Sequence, residues 1–145
     1  MHAGQFVDRI GVALGLQFPT GPALEQLAEQ AEKLLELPVS VRKLDVSLSG
    51  PATAAMRKLE AGANAAYLAL GVEHTLAETF ARLLRNGAAA YGVRDVILVG
   101  GVGPTSTSAS MLKKSWRSAV CACGCLKAAS AVIMPVAVPL LPGDT

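Results

Sequence analysis

The stretch DVILVGGVG, residues 95–103, decides the fold class that the sequence predicts. Its apolar part, residues 96–99, has the length and β-branched character of a buried strand, and it follows a long helical pattern. Gly100, Gly101 and Gly103 then allow backbone angles that other residues avoid and let a ligand approach closely. Because ligands of open α/β sheets bind at the carboxyl ends of strands, this turn is a candidate nucleotide site. The alternative is an ordinary tight turn, which is the more common role of such glycines.

The composition is that of a globular chain with a core poor in aromatic residues. The 145 residues favour one domain or part of a larger one, with 52% hydrophobic, 17% charged and 4% aromatic residues. A net charge of +2 is too small to indicate nucleic-acid binding. The first residues lack the pattern of a secretory signal, and Pro135 and Pro139 argue against a membrane span in the apolar tail, so we expect a cytoplasmic protein.

Upstream of the glycine-rich turn, the apolar spacing predicts mainly helices. Gly15 is expected near the end of the first helix, and Pro22 suits the first turn of the second. Alternating apolar and polar residues predict one half-buried strand between the second and third helices. The predicted helices span residues 5–16, 22–37, 52–59 and 63–90, and the predicted strand spans residues 43–49.

Taken one at a time, the polar side chains have ordinary interpretations. Asp8 beside Arg9 is typical of a solvated charge pair, and Glu25 in the first turns of a helix is stabilised by the helix dipole. Ser47 and Ser49, on either side of Leu48, are typical turn hydroxyls. None of these residues identifies a catalytic site alone.

The sequence also predicts no metal-ligating residue. His74 lies in the longest helix with no second His or Cys at metal spacing, and we interpret it as a surface or groove residue. Cys121, Cys123 and Cys125 occupy alternate positions, without the paired C-x-x-C spacing of a zinc site, and they suggest no disulfide framework. No Ser/His/Asp or Cys/His constellation can be assembled, so no catalytic residue is predicted.

Four segments in order make a stronger signal. They are QFVDRIGVALGL at 5–16, FPTGPALE at 18–25, SLSGPATA at 47–54 and LVGGV at 98–102. Together they resemble the second half of the tRNA N6-adenosine threonylcarbamoyltransferases, once called O-sialoglycoprotein endopeptidases, over about residues 4–103. The resemblance implies an α/β fold of the actin, sugar-kinase and heat-shock-chaperone type (ribonuclease H-like), in which a nucleotide-like ligand lies between two lobes. It also implies transfer of a threonylcarbamoyl group from threonylcarbamoyl-adenylate to N6 of an adenosine in tRNA.

The resemblance assigns roles to five residues. Asp8 matches the aspartate that contacts the ligand ribose, and Gly21 matches the glycine whose backbone nears the ligand. Glu25 matches a further acidic residue on the ribose side, while Gly100 and Gly101 match the turn on the phosphate and adenine side. These five residues are the predicted nucleotide-binding or substrate-binding residues.

The sequence departs from the family pattern at three places. The segment that would form the other lobe, with its His-x-x-x-His metal ligands and its own phosphate loop, is not matched in these 145 residues. Thr105 stands where the family pattern has Asn, and the carboxyl-terminal Ser-Asp-Asn motif is missing. The divalent metal and the threonylcarbamoyl-adenylate or ATP-like ligand of the family therefore lack a complete site in this chain.

A shift of the reading frame would explain why the tail lacks the family motifs. Back-translated and read two bases along each codon after Val102, permitted codons restore both the Asn and the Ser-Asp-Asn motifs in order. We therefore predict two parts, a partial lobe at 1–103 and an out-of-frame, loosely packed tail at 104–145. If the tail is out of frame, the strand and helices that would close the lobe are lost, and the apolar surface that they would cover is exposed. We therefore expect self-association.

These observations predict a truncated family member, with weak or no activity alone. Its expected partners are an adenine nucleotide-like ligand, bound weakly, and tRNA only through the intact family enzyme. The alternative function is a non-catalytic binding or scaffold subunit that pairs with a partner lobe. A metallopeptidase, as the older family name suggests, would need a zinc-ligand pair, which the sequence does not offer.

Overall fold

The computed structural model describes residues 1–92, which form four helices and one short β-hairpin. The elements are α1 (Ala3–Ala13), α2 (Gly21–Glu29), β1 (Val41–Arg42), β2 (Asp45–Val46), α3 (Ser49–Glu60) and α4 (Ala65–Tyr91). Several predictions concern residues outside this range: the strand at 96–99, Gly100, Gly101, the three cysteines and the 104–145 tail.

Helix α1 forms where the apolar spacing predicts it. Phe6, Val7 and Ile10 recur on one face and are buried. At the amino end the backbone N–H of His2 donates a hydrogen bond to Oε1 of Gln5, at 3.0 Å, which satisfies one of the donors exposed at a helix start. The helix ends at Ala13, and Gly15 follows at a φ of +79°, so the predicted end near this glycine is confirmed.

Helix α2 is shorter than its apolar pattern predicts. Pro22 lies in its first turn, as predicted, but the helix ends at Glu29 and does not continue to residue 37. Beyond Glu29 the chain crosses α4 so closely that a Cβ added at Gly71 would collide with the carbonyl oxygen of Leu35. The pattern in residues 30–37 reflects burial of single side chains such as Leu37, which is 8% exposed, and not a helical face.

The predicted strand at 43–49 is wrong, because the chain reverses inside it. Strands β1 and β2 pair antiparallel, with Val41 opposite Val46, and Lys43 takes a φ of +54° at the turn. The alternation of Leu44, Val46 and Leu48 suggested one buried face, yet only Leu48 is buried. The side-chain amide of Asn86 on α4 donates to the carbonyl oxygen of Lys43, at 2.7 Å, and so anchors the turn.

The last two helices lie where they are predicted, although α3 begins three residues earlier than predicted, at Ser49. Gly62, at a φ of +83°, separates α3 from α4. Asn64 caps α4, because its Oδ1 accepts hydrogen bonds from the backbone N–H groups of Ala66 (2.9 Å) and Tyr67 (3.3 Å). Gly92, in the left-handed region at a φ of +64°, terminates α4.

Helix α4 organises the core. It packs along α2 and also contacts α1, α3 and both strands. The most deeply buried apolar side chains come from all four helices, and they include Phe6, Ile10, Leu24, Ala52, Leu68 and Val72. Within the described residues, none of the helices has both the length and the apolar character needed to cross a membrane.

Candidate functional site

The first predicted site residue, Asp8, joins α1 to the start of α2. Its Oδ1 accepts hydrogen bonds from the backbone N–H of Thr20 (3.1 Å) and from the Thr20 hydroxyl (3.0 Å). That hydroxyl also lies 3.3 Å from the carbonyl oxygen of Val7. The interpretation of Asp8 as a solvated charge pair with Arg9 is therefore wrong, since its half-buried carboxylate has a tertiary partner. Both bonds use Oδ1, which leaves Oδ2 outside this contact.

Gly11 makes the close approach of Thr20 possible. Thr20 is fully buried, and a Cβ added at Gly11 would overlap the Thr20 side chain. Sequence reasoning did not identify either residue. A signal existed, because a glycine inside a helix costs stability and so indicates a packing reason, and Gly11 lies one turn after Asp8.

Gly21 and Glu25 lie immediately beyond this contact. Gly21 is the first residue of α2 and directly follows Thr20, and Glu25 lies one helical turn further on. A Cβ added at Gly21 would have no atom of residues 1–92 within 4 Å, so the backbone there is open to a ligand. The structure thus brings Asp8, Gly21 and Glu25 together, in a region that we call the α1–α2 junction (Asp8, Gly11, Thr20, Gly21 and Glu25).

One further carboxyl group, that of Glu73 on α4, was not identified from the sequence. Glu73 on α4 is only 3% exposed, and neither of its oxygens has a hydrogen-bond partner within residues 1–92. Burial, and then the negative charges of Glu25 and Glu29 on α2, raise the pKa of Glu73 from 4.5 to about 7. The signal in the sequence was its spacing, because Glu73 falls on the same helical face as the buried Ala66 and Ala69.

The remaining candidates lie outside this arrangement. Ser47 is exposed, and the carbonyl oxygen of Ser49 accepts a hydrogen bond from the Thr53 hydroxyl (3.0 Å) inside α3. His74 is half-buried on α4. In the described part of the chain, no group of three or more His, Cys, Asp or Glu side chains could hold a metal ion.

The segments that form the junction lie within a range of the chain that matches a known family. A model of the tRNA N6-adenosine threonylcarbamoyltransferase family matches residues 1–123. The chain belongs to this family. Membership implies the α/β fold of the actin-like class, and the described residues, helical with a small sheet, form part of it. The matched range includes Gly100 and Gly101 and runs beyond residue 103, while the out-of-frame origin of the tail stays a prediction.

Archaeal relatives give the same family. A tRNA N6-adenosine threonylcarbamoyltransferase of Thermococcus sibiricus is 38% identical over 114 residues, which are 76% of this chain and 34% of the relative. A probable bifunctional tRNA threonylcarbamoyladenosine biosynthesis protein of Methanothermobacter thermautotrophicus is 37% identical over 111 residues, 77% of this chain and 21% of the relative. The chain thus spans about a third or less of the length of these relatives.

Proposed function

We propose that this chain retains the ribose side of the family's nucleotide site and binds an adenine nucleotide through the α1–α2 junction. The observation that carries the proposal is the junction itself. Asp8 is held against the start of α2 by Thr20, with Gly21 open beside it and Glu25 one turn away. Carboxylate oxygens accept hydrogen bonds from ribose hydroxyls, and a backbone free of a side chain lets a ligand approach closely.

The 145-residue polypeptide, taken alone, is proposed to lack transferase activity. Transfer of an acyl group to an amine requires both reactants to be held in one geometry, which accounts for a large part of such a rate enhancement. The described residues supply the carboxylates of the α1–α2 junction, and among them no group of three or more His, Cys, Asp or Glu side chains could hold a metal ion. We propose that Gly100 and Gly101, which lie outside the described residues, complete the phosphate and adenine side, and that tRNA is bound only by the intact family enzyme.

The binding proposal is tested by titrating ATP into the purified chain by calorimetry. We expect saturable binding, weakened about tenfold or more by D8A or E25Q, because each removes a charged hydrogen-bond acceptor. E25Q leaves the contact between Asp8 and Thr20 intact, so a loss of binding in this variant does not come from that contact. D45N is the matched control, since Asp45 is an exposed carboxylate on the hairpin, and it should bind like the unmodified chain.

Two outcomes would contradict this account. Absence of saturable ATP binding would remove the nucleotide site. Threonylcarbamoyl transfer to tRNA by the purified polypeptide, with no other protein added, would contradict the lack of activity.

A scaffold subunit is the second candidate function. Val12 and Phe18, at the end of α1 and in the loop after it, are 57% and 75% exposed. If these side chains belong to one apolar patch, such a patch is typical of surfaces that other proteins cover. Stable association with a second polypeptide, without nucleotide binding, would favour this function over the first.

A further inference from the structure

Glu73 lies where α4 packs against α2, and its environment favours the neutral acid. Its side chain is 3% exposed, and both oxygens lack a hydrogen-bond partner within residues 1–92. A buried carboxylate without a partner is far less stable than the neutral acid, because nothing replaces the water it has lost. The proposed ribose-side residue Glu25 is one of two carboxylates on α2 that act on it, the other being Glu29.

The charges that act on Glu73 come from α2. Within residues 1–92, burial is the largest cause of its raised pKa, and the charges of the two α2 glutamates follow. Helix α4 also packs against α1, α3 and the hairpin. The charged or titratable groups on those elements are Asp8, Arg9, Arg42, Lys43, Asp45, Arg57, Lys58 and Glu60. The segment 30–37, which crosses α4 at Gly71, adds Glu32, Lys33 and Glu36, and α4 itself carries Tyr67, His74, Glu78, Arg82, Arg85 and Tyr91.

We propose that the proton on Glu73 controls nucleotide affinity at the α1–α2 junction, an inference that rests on the proposed function. When Glu73 is neutral, α2 and α4 stay packed and Glu25 keeps its place beside the ligand ribose. When Glu73 ionises, a further negative charge lies beside Glu25 and Glu29. That charge is relieved only if α2 moves away from α4 or water enters between them, and either change displaces Glu25.

Reciprocity gives a second consequence. If the neutral form of Glu73 binds the nucleotide more tightly, then the nucleotide must favour the neutral form by the same factor. Binding above neutral pH therefore takes up a proton. A side chain that only maintains packing would change the affinity equally at every pH.

The test is the affinity of the 145-residue chain for adenosine across pH. Adenosine has no phosphate and does not itself titrate near neutral pH, so any pH dependence belongs to the protein. If only the neutral form binds, the dissociation constant should rise about tenfold between about pH 6 and about pH 8, since the pKa of Glu73 is about 7. E73Q, a permanently neutral side chain of the same shape, should bind as the unmodified chain does at about pH 6, with a flat profile.

Two variants complete the experiment. E29Q removes one of the charges that raise the pKa of Glu73, so the midpoint of the profile should move to lower pH. E60Q removes an exposed carboxylate at the end of α3 and should leave the profile unchanged. It controls for the change in net charge.

The outcomes separate this inference from the function on which it rests. Adenosine binding that is equally pH-independent in the unmodified chain and in E73Q would overturn the role of Glu73 and leave the nucleotide site standing. A pH dependence that persists in E73Q would assign it to another group and would also overturn the inference. Failure of the unmodified chain to bind adenosine at any pH would remove the site itself.

Discussion

At Asp8, one carboxylate oxygen is enough to join α1 to the start of α2. Oδ1 accepts both hydrogen bonds from Thr20, so the side chain can be structural and still offer Oδ2 to a ligand. A side chain with both roles is preorganised, because its orientation is fixed before the ligand arrives. For the same reason, a substitution of Asp8 changes folding and binding together.

At Glu73, the raised pKa has a consequence for stability that needs no ligand. The neutral acid is favoured in the folded chain, because the pKa of Glu73 is about 7 there, against 4.5 for an exposed glutamate. The stabilising contribution is therefore fully present below pH 4.5 and is lost as pH rises through about 7. The shift corresponds to about 3 kcal/mol of unfolding free energy. Urea denaturation across this pH range should show the loss in the unmodified chain but not in E73Q, and parallel profiles would contradict it.

Some of these residues could be found from the sequence and others could not. Asp8, Gly21 and Glu25 fall in segments that resemble the family, which the family match confirms, while their role in binding stays a prediction. The contact between Thr20 and Gly11 was not, because it depends on how α1 and the following loop meet in space. The burial of Glu73 likewise depends on α2 lying over α4, which no local pattern shows.

At the scale of elements, helices defined by long apolar patterns and clear end signals were predictable. Helix α4 has Asn64 before its first turn and Gly92 after its last, and its observed bounds are close to the predicted ones. The errors occur in residues 30–48, where apolar side chains are buried by the crossing of α4 and by a reversal at Lys43. An alternating pattern cannot distinguish one strand from two short strands with a turn between them.

Two glycines on α4 test the crossing of residues 30–37. At Gly71 an added Cβ would collide with the backbone carbonyl of Leu35, whereas at Gly87 the nearest atom, Cδ2 of Leu44, lies at an ordinary 3.7 Å. We expect G71A to destabilise the chain by about 1–3 kcal/mol through overpacking. G87A, the matched control on the same helix, should stabilise it by up to about 1 kcal/mol through helix propensity. Thermal unfolding measures both, and equal effects would contradict the crossing.

At the scale of the whole molecule, the other elements of residues 1–92 pack around α4, and α1 and α2, which form the junction, both contact it. The chain belongs to the threonylcarbamoyltransferase family yet spans about a third or less of the length of the relatives described above. The α/β fold class was predictable because the ordered motifs indicate the family, and membership of the family implies that class. How the elements pack was not, because packing depends on contacts between segments distant in sequence.

Hydrogen–deuterium exchange of the 145-residue chain, with and without ATP, shows whether the α1–α2 junction is a nucleotide site. If it is, ATP should slow exchange in peptides that cover the start of α2, from Thr20 to Glu25, and in the part of α1 around Asp8. Peptides that cover the hairpin and the end of α3 should exchange at unchanged rates. Unchanged exchange at the junction under saturating ATP, or protection confined to the hairpin or α3, would contradict the claim.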